Sequence, residues 1–178
     1  MTIDMTFRRL TEDDFPDLRQ WLNRPHLRRF FQKQPISLAQ IEAKYGPRVR
    51  GEEPTHCHLA WLAHSPFGYL QCYRIADYPD WAALIGERDG IGVDLAILEP
   101  DLVGQGLGHA MLAGYLGEIA FPLFANESKC FIAHERENHA GIANSRSVGF
   151  RFSRSFVEDG NATELLVLER DEPAVWRG

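Results

Sequence analysis

Cysteine is scarce in this 178-residue chain, with Cys57, Cys72 and Cys130 its only three. Their number is odd, no two stand in a CxxC spacing, and each lies in an apolar segment, which predicts buried free thiols rather than a disulfide framework or zinc site. Long apolar runs are missing too. The richest stretch, 110–125, is broken by Glu118 and Pro122, and the first nine residues lack a signal peptide's continuous apolar core, so the reading is a cytoplasmic protein without a membrane partner. An excess of positive charge is also absent. Nineteen Lys and Arg face 25 Asp and Glu, a formal charge of −6, which argues against the broad positive footprint of a nucleic-acid binder and favours a small cationic partner. There are no repeats, linkers or low-complexity tracts, and 44% hydrophobic residues over this length suffice for one core. A single domain over residues 1–170 is therefore expected, with a short, loose tail at 171–178.

What is present reads as alternating strands and helices. Phe7 to Leu10 predicts a strand, and Thr11 with Asp14 starts a helix whose apolar face is Phe15, Leu18, Trp21 and Leu22, ended by Asn23 to Pro25. Arg24, Arg28 and Arg29 beside Phe30 and Phe31 read as a solvated basic face. Ser37 with Gln40 makes a capping box for a second helix, which Pro47 is expected to stop. His58 to Ala63 and Phe67 to Tyr73 form a hairpin, and Ala76 to Gly90, rich in Asp, Gly and Pro, reads as a long connection. Ile91 to Leu98 is the most apolar strand, interrupted only by Asp94. A glycine loop and a helix from about His109 to Phe121 follow, then a strand at Lys129 to Ala133 and a short helix from His139 to Ser147. Phe150 to Val157 and Thr163 to Glu169 close the chain as a hairpin across Asp159-Gly160-Asn161.

The loop Val103-Gly104-Gln105-Gly106-Leu107-Gly108 joins a strand to a helix start, where free backbone N–H groups and the helix dipole make an anion site. Phosphate is the natural ligand. The spacing is neither a Walker loop nor the GxGxxG of a dinucleotide fold, and alternate glycines let main chain approach a pyrophosphate closely. With Asn138-His139-Ala140-Gly141 and Gly149-Phe150 downstream, the chain resembles the GNAT superfamily of acyl-CoA N-acyltransferases, its first loop position departing at Val103. Within it, Phe7 to Asp14, Trp21-Leu22-Asn23-Arg24, Pro66-Phe67-Gly68-Tyr69 and Gly92-Val93-Asp94 resemble the aminoglycoside 6'-N-acetyltransferases over about residues 5–170. Siderophore hydroxylysine acyltransferases share much of that layout, and ribosomal-protein N-terminal acetyltransferases share its opening.

The resemblance implies a single α/β (α+β) domain with a central mixed, mostly antiparallel sheet and helices on both faces. Ile91 to Leu98 and Lys129 to Ala133 would run parallel and splay in a V to admit pantetheine. It implies acetyl-CoA as co-substrate, a small cationic amine as acceptor, and a monomer or homodimer. Ile97 and Leu98 would offer backbone N–H to the oxyanion and an edge to pantetheine, while Val103 to Gly108 and Asn138 would hold the cofactor. Asn138 reads equally as the cap of the His139 helix.

Acyl transfer to an amine needs a route for the amine's proton, a stabilised oxyanion and a protonated thiolate. Asp94, alone in its apolar strand, reads as the amine's binding partner or base, or else as a structural carboxylate. The family's acid, a tyrosine seven residues after the asparagine, falls on Ser145, which could reach the sulfur only through water. His134, at a strand end, is the alternative proton acceptor. Trp81 with Asp80 and Glu87, among the loop acids Asp77 and Asp89, could cradle a polyamine, or the acids could simply be solvated. The resembling enzymes carry a denser acidic run where this chain has Ala82-Ala83-Leu84. His56 and His58 share a strand face, but with no third ligand at a metal spacing the reading of them and of His134 and His139 is that no metal is held. A non-catalytic acyl-CoA-binding regulatory module is the reading from a different class.

Overall fold

The computed structural model describes residues 4–171, so the tail expected after Asp171 lies outside the described residues. Seven strands follow the sheet order β1-β2-β3-β4-β5-β7-β6. They are β1 (Met5–Arg9), β2 (Thr55–Leu62), β3 (Ser65–Arg74), β4 (Ile91–Ile97), β5 (Lys129–Glu135), β6 (Arg151–Glu158) and β7 (Asn161–Glu169). The sheet is mixed: β1 with β2, β5 with β7 and β6 with β7 are antiparallel, whereas β4 with β5 is parallel, as the sequence predicts. The described residues divide into two compact units, one of 4–71 with Leu95–Val103 and one of Cys72–Asp94 with 104–171.

In the first unit, α1 (Phe15–Leu22), α2 (Pro25–Phe30) and α3 (Leu38–Val49) surround a core of Leu18, Leu22, Ile41, Tyr45, Leu59 and Tyr69. The Ser37 capping box is formed: Ser37 N–H donates to Gln40 Oε1 (2.8 Å) and Gln40 N–H to Ser37 Oγ (3.2 Å). One expectation is corrected. α3 runs through Pro47 to Val49, because a proline this near the end costs one internal hydrogen bond and Gly46 before it has no Cβ to meet the ring. α1 ends at Asn23 as expected, and after the extended Arg24 a further helix that the sequence signals do not predict starts with Pro25 at its first position and buries Leu27.

In the second unit, Ala76 to Gly90 is not a bare connection. It holds a 3-10 turn at Ile75–Asp77 and α4 (Pro79–Ile85), which has proline in its first turn and ends at Gly86 with φ 70°. The helix after the glycine loop begins at Leu107, earlier than expected, and α5 (Leu107–Tyr115) widens into a π-helical turn over Leu116–Ala120 before α6 (Phe121–Leu123). Pro122 has no N–H for the carbonyl four residues back, which accompanies the widening. The chain closes with α7 (His139–Val148) and the β6–β7 hairpin, whose Asp159 and Gly160 take φ of 47° and 81° as a two-residue turn requires. All three cysteines are buried, and none is in a disulfide.

Candidate functional site

β4 and β5 pair through two rungs only, Ile91 with Cys130 and Gly92 with Phe131. Alternation puts Gly92 and Asp94 on one face of β4. The Tyr73 ring lies so close to Gly92 that a Cβ there would enter it, at 2.7 Å from the phenol oxygen. Tyr73 packs edge-on against Tyr78 at 5.2 Å. Its pKa is pushed well above the ordinary tyrosine range, by burial first and then by the negative charges of Asp94 and Glu158, so it is a neutral hydroxyl at neutral pH. The Cys130 thiol is raised likewise, by burial, Cys72 and Asp94. Asp94, half-buried, thus acts through its charge on a phenol and a thiol that both stay protonated. Sequence reasoning missed Tyr73, because it belongs to a different strand and nothing local ties it to Asp94.

The glycine loop stands open. Gly104 and Gly106 take φ of 81° and 79°, with no atom within 4 Å of where a Cβ would be. Val103, Gln105 and both glycines are exposed, and the first-turn amides of α5, from Leu107 on, begin at Gly106. Gly108 serves packing instead: a Cβ there would stand 2.8 Å from Asn144 Oδ1 of α7. His109 Nδ1 adds a 2.9 Å hydrogen bond to Ser147 Oγ on the same helix. The amides at the start of α5, the left-handed glycines and the unobstructed space beside them suit a pyrophosphate.

His134 and Ser145 are brought together, with 2.8 Å between Nε2 and Oγ. Burial lowers the His134 pKa to about 4, which leaves a neutral ring that is a weak base. Ser145 has no exposed surface, so the water-mediated route to a thiolate has no access to its hydroxyl. Asn138 caps α7, accepting from Gly141 N–H at 3.0 Å. Of the substrate candidates, Glu87 is paired with Arg154 (2.8 Å) and Asp77 with Arg74 (2.9 Å), whereas Asp80 is exposed in the first turn of α4. Trp81 packs edge-on against Phe156 at 5.7 Å.

The end of β4 belongs to the first unit and is held by side chains. Leu98 N–H donates to Phe67 O at 2.7 Å, so that amide is not available to an oxyanion and the expectation narrows to Ile97. His26 Nε2 donates to Ile97 O (2.9 Å) and Arg24 Nη1 to Leu98 O (2.6 Å). Arg24 also pairs with Glu99 at 2.8 Å, so it is not the solvated residue expected from its neighbours. Among the described residues no group of three or more His, Cys, Asp or Glu could hold a metal, and no helix is long and apolar enough to cross a membrane.

A family model, the acetyltransferase (GNAT) domain, matches residues 11–157. The chain belongs to this family. It is 30% identical over 111 residues to aminoglycoside N(6')-acetyltransferase type 1 of Klebsiella pneumoniae, a match covering 61% of this chain and 55% of the relative. The same figures hold for the enzyme of that name from Serratia marcescens, so this GNAT chain spans about half the length of the curated relatives it matches. Among solved structures it is similar to an aminoglycoside acetyltransferase, AAC(6')-Ib, in complex with coenzyme A and kanamycin, with TM-score 0.76, 25% identity, and 94% and 95% of the two chains covered. Spermidine N-acetyltransferase from Vibrio cholerae shares the fold at TM-score 0.77 and 14% identity, with 99% of this chain and 100% of that one covered.

Proposed function

We propose that this GNAT chain is a cytoplasmic acetyl-CoA-dependent N-acetyltransferase acting on a primary amine of a small cationic substrate, with the 6'-amine of an aminoglycoside as the representative acceptor. The observation that carries it is Asp94, a half-buried carboxylate on β4 just past the last rung of parallel pairing, whose charge acts on the protonated Tyr73. An ammonium group is the natural partner of such a carboxylate. Asp94 draws the cationic amine in and accepts its proton, which frees the nitrogen lone pair. Tyr73, kept neutral, gives this position a hydroxyl but no competing charge. Acetyl-CoA supplies the activated acetyl thioester. Gly104 to Gly108 and the first turn of α5 would hold its pyrophosphate, and Ile97 N–H would meet the oxyanion.

The 30% identical relatives and the 25% identical structure with kanamycin support an aminoglycoside-like acceptor, and antibiotic resistance is the biological role this reading carries. A thiol pKa of about 8.5 lets thiolate leave near neutrality without a strong acid, so a buried Ser145 is compatible with turnover. The same buried Ser145 favours a second reading, a module that binds acyl-CoA without turnover. Thiol release measured with aminoglycosides, N-hydroxylysine and short peptides decides. Turnover on aminoglycosides supports the proposal, turnover on hydroxylysine or peptides alone moves the chain to the siderophore or N-terminal acetyltransferase class, and calorimetric binding of acetyl-CoA with no turnover on any amine establishes the module.

A further inference from the structure

The end of β4 carries a second design that the glycine loop and Asp94 do not explain. Ile97 C=O and Leu98 N–H belong to one trans peptide group and point in opposite directions. Leu98 N–H is committed to Phe67 O on β3, so Ile97 C=O faces the edge of β4 away from β3. On that edge a neighbouring strand would ordinarily supply the donor, and here His26 does, through Nε2 at 2.9 Å. A carbonyl can only accept, so Nε2 carries the proton. In an extended strand a residue's N–H and C=O leave on the same edge, so Ile97 N–H shares the edge with the carbonyl that His26 holds. Arg24 fixes the next peptide through Leu98 O and joins it to Glu99.

The two side chains are themselves anchored. Asn23 donates Nδ2–H to Arg19 O (2.7 Å) and Ile36 O (2.8 Å) and accepts from Ile36 N–H (3.0 Å). Pro25 starts α2 directly after, and Leu27 is buried in the core, so the turn that carries Arg24 and His26 has little freedom.

We propose that His26 is the positioning residue of the acyl-donor edge: by donating to Ile97 C=O it sets the orientation in which Ile97 N–H is presented to the thioester carbonyl, with Arg24 holding the following peptide in place. This rests on the reading of the chain as an acetyl-CoA-dependent acetyltransferase. His26 acts through the backbone and does not touch the reacting atoms.

Glutamine and asparagine separate the donor from the ring. In His26→Gln the amide nitrogen reaches about as far as Nε2, whereas in His26→Asn it reaches only as far as Nδ1 and cannot span to Ile97 O. The two variants, with Arg24 intact, are compared with wild type for calorimetric binding of acetyl-CoA, for KM of acetyl-CoA and of the amine, and for melting temperature. His26→Asn should bind acetyl-CoA roughly tenfold more weakly, the scale of one lost hydrogen bond, and lower kcat, while KM for the amine stays within about threefold. His26→Gln should recover most of both losses. Folded Gln and Asn variants that both match wild type in acetyl-CoA affinity and kcat would overturn the proposal, as would parallel loss of donor and amine binding with a falling melting temperature in both, which marks a merely structural histidine. Wild-type protein that fails to bind acetyl-CoA would instead overturn the acetyltransferase reading, and this inference with it.

Discussion

Gly92 is a glycine because Tyr73 fills the space that a side chain would need. Gly92→Ala forces a methyl into the ring, and overpacking of this kind costs about 1–3 kcal/mol, so the denaturant midpoint should fall clearly. Adding Tyr73→Ala should return part of that loss, and a double variant whose losses simply add would show that the two residues do not share the space. His134 makes a pH prediction. Its pKa is about 4 in the folded chain against an ordinary 6.5, so below pH 6.5 the unfolded chain binds a proton that the folded chain refuses. The stability it contributes is complete above pH 6.5 and is lost as the pH falls towards about 4, at about 1.4 kcal/mol per unit. His58, held at about 4 by burial and then by Arg9 and His56, acts in the same sense. Melting temperature should decline through this window, and more gently in His134→Gln; parallel wild-type and variant profiles would refute the assignment. Asp94 was legible in the sequence as the one charge in an apolar strand. Tyr73, His26 and Arg24 were not, since the carbonyls that the last two hold lie 71 and 74 residues away.

The elements that could be read from the sequence are those whose signals are local. The Ser37 capping box, the Asp159-Gly160 turn and the strand, glycine loop and helix around Gly104 to Gly108 each depend on residues within a few positions of one another. α4 also had its signals, proline in the first turn and glycine at the end, but the density of Asp, Gly and Pro around it masked them. Pro47 misled for the converse reason, because its position near the end of α3 made its missing N–H cheap. Within the loop the glycines serve different ends, and substitutions should separate them. Gly106→Ala meets no atom but forces an alanine into the left-handed region, at about 1–2 kcal/mol, so coenzyme A affinity should fall as the amides reorient. Gly108→Ala pushes against Asn144 and should lower the melting temperature as α5 and α7 separate. Coenzyme A titrations and melting curves on both variants test this division, and unchanged coenzyme A affinity in Gly106→Ala would contradict an anion-binding loop.

At the scale of the whole molecule, the formal charge of −6 suits a polycationic acceptor, and long-range attraction between exposed charges is screened by salt. KM for an aminoglycoside should therefore rise with ionic strength while KM for a singly charged amine changes less; equal salt dependence would remove the electrostatic argument for the substrate class. The sequence identified the family through two motifs in the right order, and the acceptor depends on groups gathered from several strands. Everything in the functional account converges on Asp94, which makes one comparison decisive: turnover and acetyl-CoA binding in Asp94→Asn beside wild type, on the amine that wild type acetylates best. Removing the charge while keeping the shape should depress turnover by roughly 10²-fold or more, the scale of a positioned acid–base group, with acetyl-CoA affinity and melting temperature close to wild type. An Asn variant that turns over at the wild-type rate, or loses activity only in proportion to a fallen melting temperature, would make Asp94 a structural carboxylate and contradict the account.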